Sequence, residues 1–188
     1  MSEGNSMKSE RIFRLDSNQE ETDTRVALYA QFAAEEGYKS VQVRSPDSDI
    51  YFILLHHATK IGLKIYFDTG SGNKKRILNI TEQSKELGEK RCEALLSLHA
   101  LTGCDTSSCL KGKGKIQPIK VLEKHEKFDD VLCKIGEDWN LGQESVSDIE
   151  RFVCYVYGNS RCKEVDQLRY NMLQKNVITV KKLIQRKL

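Results

Sequence analysis

Tyr38-Lys-Ser-Val-Gln-Val-Arg44, then Ser45-Pro-Asp-Ser-Asp49, then Ile50-Tyr-Phe-Ile-Leu-Leu55 sets the architecture expected of this chain. Val41 and Val43 alternate with polar residues, which is the period of a half-buried strand, so 38–44 is read as one. Pro46 ends it, and the Asp and Ser residues of 45–49 favour a loop and caps. The apolar run that follows predicts a short buried helix over 50–60, closed by Gly62. Next come a second strand at 63–67, a Gly-rich hairpin turn at 68–73, and a third strand at 76–80. Before the run, Ser17-x-x-Glu20 is a capping box that predicts a helix to about residue 36, ended by Gly37. After it, Thr81 or Ser84 opens a long helix reaching Leu101, with Ala94, Leu95, Leu98 and Leu101 as its stripe. Four further helices are expected over 116–127, 129–134, 146–157 and 163–175. The alternation predicts an α/β sandwich with a mostly parallel sheet over 18–110, followed by an all-helical tail over 111–188. Residues 1–17 read as a weakly ordered leader, in which Ile12, Phe13 and Leu15 offer one short edge strand.

The 188 residues suit one core with a helical appendage. Charged residues make up 30%, yet the net charge is only +3, so any nucleic-acid footprint must be local. None of the six cysteines forms a C-x-x-C pair. Their scatter, and the absence of an apolar secretory segment in 1–10, predict reduced thiols in an intracellular setting, nuclear or cytoplasmic. The longest apolar run, 50–55, is too short to span a bilayer, so no membrane association is expected.

Three acidic spots stand at the ends of successive elements. In Glu20-Glu21-Thr22-Asp23, Asp23 lies three residues before Val26 and so shares the inward face of its helix. By itself this is ordinary first-turn stabilisation. Asp47 and Asp49 lie two apart beyond the carboxyl end of a strand, where open α/β sheets gather ligands. In an extended loop both would face one way, although a turn and a helix cap account for them equally. Asp105 follows the Gly103 break and reads alone as a cap. Together, carboxylates at three such ends suit one or two hard divalent cations, which can activate a water and stabilise a leaving phosphodiester oxygen. Farther on, Lys111-Gly112-Lys113-Gly114-Lys115 is a tight basic turn. Its glycines would let backbone amides approach a phosphate, although a solvated loop explains it as well.

Glu20-Glu-Thr-Asp-Thr-Arg25, Ser45-Pro-Asp-Ser-Asp49, His99-Ala-Leu-Thr-Gly-Cys-Asp-Thr106 and Gly112-Lys-Gly-Lys115, in this order, resemble a group of transposon-associated animal proteins with a flap-endonuclease-like, or PIN-like, domain. Arg151-Phe-Val-Cys-Tyr-Val-Tyr-Gly158 resembles the helical tail of the same group, and the likeness covers about residues 12 to 175. It implies a three-layer PIN-like sandwich and a nuclease dependent on Mg²⁺ or Mn²⁺, of the two-metal type. It also implies Glu21, Asp23, Asp47, Asp49 and Asp105 as metal ligands, with Glu20 the alternative to Glu21. Asp23, Asp47, Asp49 and Asp105 would be the catalytic carboxylates. Lys111, Gly112, Lys113, Gly114 and Lys115 would form a helix–hairpin–helix-like contact with DNA or RNA. Related nucleases carry further metal-binding aspartates on an N-terminal strand, and the expectation is that this chain begins after it. That leaves three readings: a metal-dependent nuclease, an inactive fragment that binds nucleic acid or protein, and a structural interaction domain favoured by the near-neutral charge.

Overall fold

The computed structural model describes residues 11–18, 22–105, 107–137 and 140–185, with 179–185 described by backbone alone. The chain divides into two compact units, Met1–Glu86 and Leu87–Leu188.

The first unit holds helix α1 (Thr22–Glu35), strand β1 (Ser40–Arg44), helix α2 (Ser48–Ile61), strand β2 (Lys64–Thr69), strand β3 (Arg76–Asn79) and the start of helix α3 (Ile80–Leu87). The α/β class is as expected, but the sheet is not mostly parallel. In the order β1-β2-β3, β1 pairs with β2 in parallel, from Ser40 opposite Lys64 to Arg44 opposite Asp68, and β2 pairs with β3 antiparallel. Loop length explains the difference. A parallel return needs a crossover of a dozen or more residues, which α2 supplies between β1 and β2. Only Gly70 to Lys75 separates β2 from β3, so that connection must be a hairpin. The hairpin starts later than the sequence suggested, because Asp68 and Thr69 still belong to β2.

Leu54, Leu55 and Ala58 of α2 pack with Ile65 and Phe67 of β2, all at 2% exposure or less. Each of the leucine, isoleucine and phenylalanine side chains contributes about 2 kcal/mol on removal from water. The opposite sheet face carries Gln42, Arg44, Lys64 and Ile77, all exposed. Helix α1 turns Ala27 and Ala30 inward. Phe13–Leu15 forms a 3-10 turn rather than an edge strand. It is fastened through Arg14, which pairs with Glu36 at 2.6 Å and stacks over the Phe32 ring at 5.1 Å. At the amino end of β2, the Thr81 hydroxyl accepts from Ile65 N at 2.9 Å and donates to the Leu63 carbonyl at 3.1 Å. That pair of bonds ties the start of α3 to β2.

The long helix expected up to Leu101 is two helices, α3 and α4 (Glu89–Leu101), parted by Gly88 at φ 80°. A left-handed residue cannot continue a right-handed helix, and glycine takes that conformation without strain. Helix α4 opens the second unit, followed by α5 (Ile116–Lys124), α6 (Lys127–Cys133), α7 (Gln143–Val156) and α8 (Val165–Gln185). Helix α8 runs ten residues past the expected end at 175. The core of this unit is built on Leu98, Leu122, Leu132 and an edge-to-face pair, Phe128 and Phe152, with centroids 5.3 Å apart. Arg91 meets the buried Asp129 at 3.0 Å, joining α4 to α6.

Candidate active-site cleft at the carboxyl end of the parallel strands

Beyond the carboxyl end of β1 the chain enters α2 almost at once. Ser45 N donates to the Asp68 carbonyl at 3.1 Å, one step past the ladder, and Ser45 Oγ accepts from Asp47 N at 3.0 Å. Asp47 then caps α2, its Oδ1 accepting from Asp49 N at 2.9 Å. Asp49 is therefore a first-turn helical residue and not part of an extended loop. The two acids are neighbours because one caps the helix whose first turn holds the other. Both are half-buried.

A cleft of about 430 Å³ opens at this end, bordered by Asp47, Ser48, Tyr51, Thr69, Arg76 and Gln83. Arg76 reaches it because the antiparallel register sets it opposite Thr69 at the last rung of β2–β3. Tyr51 stacks near Phe67, with centroids 5.8 Å apart, and its hydroxyl lies 3.2 Å from Gln83 Oε1. A carboxylate and a guanidinium thus share one opening. Arg76, Tyr51 and Gln83 were not singled out from the sequence. The hairpin register was the one signal that could have found Arg76.

One acid was missed as well. Asp68, read as a turn residue, is 3% exposed in β2. Its Oδ2 accepts from Gln42 Nε2 at 3.1 Å and lies 3.5 Å from Lys75 Nζ, while Oδ1 has no hydrogen bond. Because strand side chains alternate, Asp68 faces away from Phe67 and Thr69, and so away from the cleft.

The remaining predicted ligands lie on other segments of the chain. Asp23 sits half-buried in the first turn of α1. Glu20 and Glu21 lie outside the described residues. Asp105 belongs to the second unit, exposed in the loop after Gly103, and among the described residues no helix starts there for it to cap. Asp47 and Asp49 are brought together within the first unit; Asp105 is held in the other.

In the basic turn, Lys113 N donates to the Leu110 carbonyl at 2.9 Å, with Gly112 at φ 72°. Tyr157 braces it: its hydroxyl donates to the Lys111 carbonyl at 3.0 Å, and Lys113 Nζ lies 5.4 Å from its ring. Lys115 is turned inward. Its ammonium donates to the carbonyls of His99, at 2.8 Å, and of Gly103, so it caps the carboxyl end of α4. Lys111 and Lys113 are the exposed or half-buried cations left in the turn, just ahead of the amino end of α5.

The donors at the cleft suit Mg²⁺ or Mn²⁺ in kind, since Mg²⁺ takes one or two protein carboxylates and keeps several waters. Asp47 has committed Oδ1 to the cap and offers Oδ2. Among the described residues no three His, Cys, Asp or Glu side chains are grouped to hold a metal ion. The cysteines are free thiols, and burial pushes Cys133 and Cys154 up to about 11, which keeps both protonated at neutral pH. Among the described residues no helix is long and apolar enough to cross a membrane. Compared with models of known families, with curated proteins and with solved structures, the chain matches none.

Proposed function

We propose that this chain is a divalent-metal-dependent nuclease-like domain that acts on the phosphodiester backbone of DNA or RNA. The observation that carries the reading is the cleft at the carboxyl end of β1 and β2, which Asp47 and Arg76 both border, with Asp49 in the first turn of the helix that Asp47 caps. Asp47 and Asp49 would hold Mg²⁺ or Mn²⁺, which supplies a polarised phosphoryl oxygen and an acidified water when bound. The Arg76 guanidinium carries the charge and donor fork suited to a phosphodiester. Glu21, Asp23 and Asp105 are the further carboxylates of the same reading, as is the PIN-like three-layer arrangement. In the second unit, Lys111, Lys113 and the two glycines would take a backbone phosphate, with Lys115 shaping the turn from within.

The test is thermal unfolding with and without Mg²⁺ and Mn²⁺, beside cleavage of single- and double-stranded oligonucleotides, for the wild type and for Asp47→Asn/Asp49→Asn. A metal-dependent rise in the unfolding temperature and metal-dependent cleavage, both lost in the variant, are expected. Salt-sensitive binding without cleavage would replace this reading with that of an interaction module. No metal response at all would remove the metal site.

A further inference from the structure

The amino ends of the same strands carry a larger cavity. It measures about 800 Å³ and is bordered by Lys39, Ser40, Thr59, Lys64, Tyr66 and Lys85, over a floor that includes Leu63 and Ala58. Topology assembles it. Ser40 and Lys64 are opposite each other at the first rung of the parallel pair. Helix α2 delivers Thr59 here because it returns from the carboxyl end to the amino end. The antiparallel strand β3 runs the same way, and α3 follows it without a break, which brings in Lys85.

Three ammonium groups border this cavity and no carboxylate does. Elsewhere in the unit several cations are matched: Arg11 with Asp16, Arg14 with Glu35 and Glu36, Lys75 with Asp68. Among the described residues, Lys39, Lys64 and Lys85 make no ion pair. The hydroxyls divide in the same sense. Thr81 and Ser84 spend theirs on Leu63, Ile65 and Thr81 backbone groups, whereas Ser40, Thr59 and Tyr66 make no side-chain hydrogen bond among the described residues.

The plainest alternative is that the lysines neutralise the carbonyl end of α2. That end amounts to about half a negative charge. Lys60, in the last turn of α2, is already placed to meet it. Three further whole charges, from the turn before β1, from β2 and from α3, leave a positive excess in a concave site, where field lines concentrate.

We propose that this cavity binds a phosphate-bearing ligand with at least two negative charges, held by Lys39, Lys64 and Lys85. Ser40 and Thr59 donate to its oxygens. The ring of Tyr66, with Leu63 and Ala58, faces the uncharged body of the ligand, and the volume matches that of small-ligand pockets. The site is separate from the Asp47 cleft, about 13 Å away along four strand residues. It stands whether or not that cleft binds metal.

The experiment is calorimetric titration of the full chain with inorganic pyrophosphate at low and moderate salt, for the wild type, Lys64→Gln/Lys85→Gln, and Arg76→Gln at the opposite end. Lys64 is exposed and Lys85 borders solvent at the cavity mouth, and unchanged unfolding temperatures would confirm that the variants are folded. Binding that weakens with salt, falls about tenfold or more in the lysine variant and persists in Arg76→Gln is expected. No binding to the wild type, or equal binding to the lysine variant, would overturn the proposal. A single-stranded oligonucleotide that displaces pyrophosphate assigns the site to a nucleic-acid backbone. One that leaves pyrophosphate in place assigns it to a free phosphorylated compound.

Discussion

The two ends of the β1–β2 pair are built on opposite terms. At the carboxyl end the charged groups are mixed in sign: Asp47 caps the helix whose first turn holds Asp49, and Arg76 enters through a hairpin rung. At the amino end they are all positive, and come from the turn before β1, from β2 and from α3. The first arrangement stabilises the protein whether or not a ligand comes. The second gathers cations that make no ion pair among the described residues, and a bound anion would supply their counter-charge. Stability and ligand response should therefore separate cleanly between the ends.

The largest effect should come from the element that serves both. Gly70 opens the β2–β3 hairpin at φ 78°, and a Cβ there would press into the Lys74 carbonyl. Gly70→Ala is expected to cost about 3 kcal/mol, combining left-handed strain with that clash. Urea unfolding measures it. Because the hairpin places both Arg76 and α3, metal response and pyrophosphate binding should fall together; loss at one end alone would show that the hairpin does not couple them.

Thr81→Val should act at the amino end only. It removes the acceptor for Ile65 N–H and the donor to the Leu63 carbonyl, at a cost of about 2 kcal/mol. Pyrophosphate affinity should drop with stability, while any metal response stays. A smaller effect distinguishes the two duties of Asp47. Asp47→Ala forfeits the α2 cap and should cost about 1 kcal/mol, whereas Asp47→Asn keeps a good cap and should leave unfolding in chelator nearly unchanged. If Asn also abolishes stabilisation by Mg²⁺, the carboxylate charge, and not the cap, is what the metal uses.

The same contrast explains what the sequence could convey. The strand, proline and Asp-x-Asp run of 38–49 announces the carboxyl end because strand period, turn chemistry and cap are all local. Its finer geometry was misjudged since Asp47 started α2 two residues earlier than the apolar run suggested. The hairpin turn was visible, and with it the antiparallel pair, yet alternation of strands and helices outweighed it in favour of a mostly parallel sheet. Gly88 is a single residue inside a helical pattern, and its left-handed φ reveals the break. Lys39, Lys64 and Lys85 are separated by more than twenty residues each, with no period linking them. Nothing short of strand register brings them to one place. Lys115 erred the other way: the motif was local and plain, but the ammonium turned back to cap α4.

The smallest effect lies on α2, which joins the two ends. His57 is half-buried, and its pKa lies below the ordinary 6.5, chiefly through burial, then through His56 and Lys60 nearby. A histidine depressed in the fold binds protons less readily than in the unfolded chain, so between the depressed value and 6.5 the unfolded state takes up more of them. Stability contributed by the neutral ring is therefore complete above 6.5 and is lost as pH falls toward the folded value. His57→Gln should flatten that part of the unfolding profile between pH 7.5 and 5 without changing the midpoint at pH 7.5 by much. Lys60 is part of the cause, and Ala58 and Thr59 border the lysine cavity, so the ring also reports on that end. A pyrophosphate bound there would offset the positive field and move the His57 titration upward, read from its ring resonances by NMR. If the titration stays fixed while pyrophosphate binds elsewhere on the chain, the anion does not occupy the amino end of the strands.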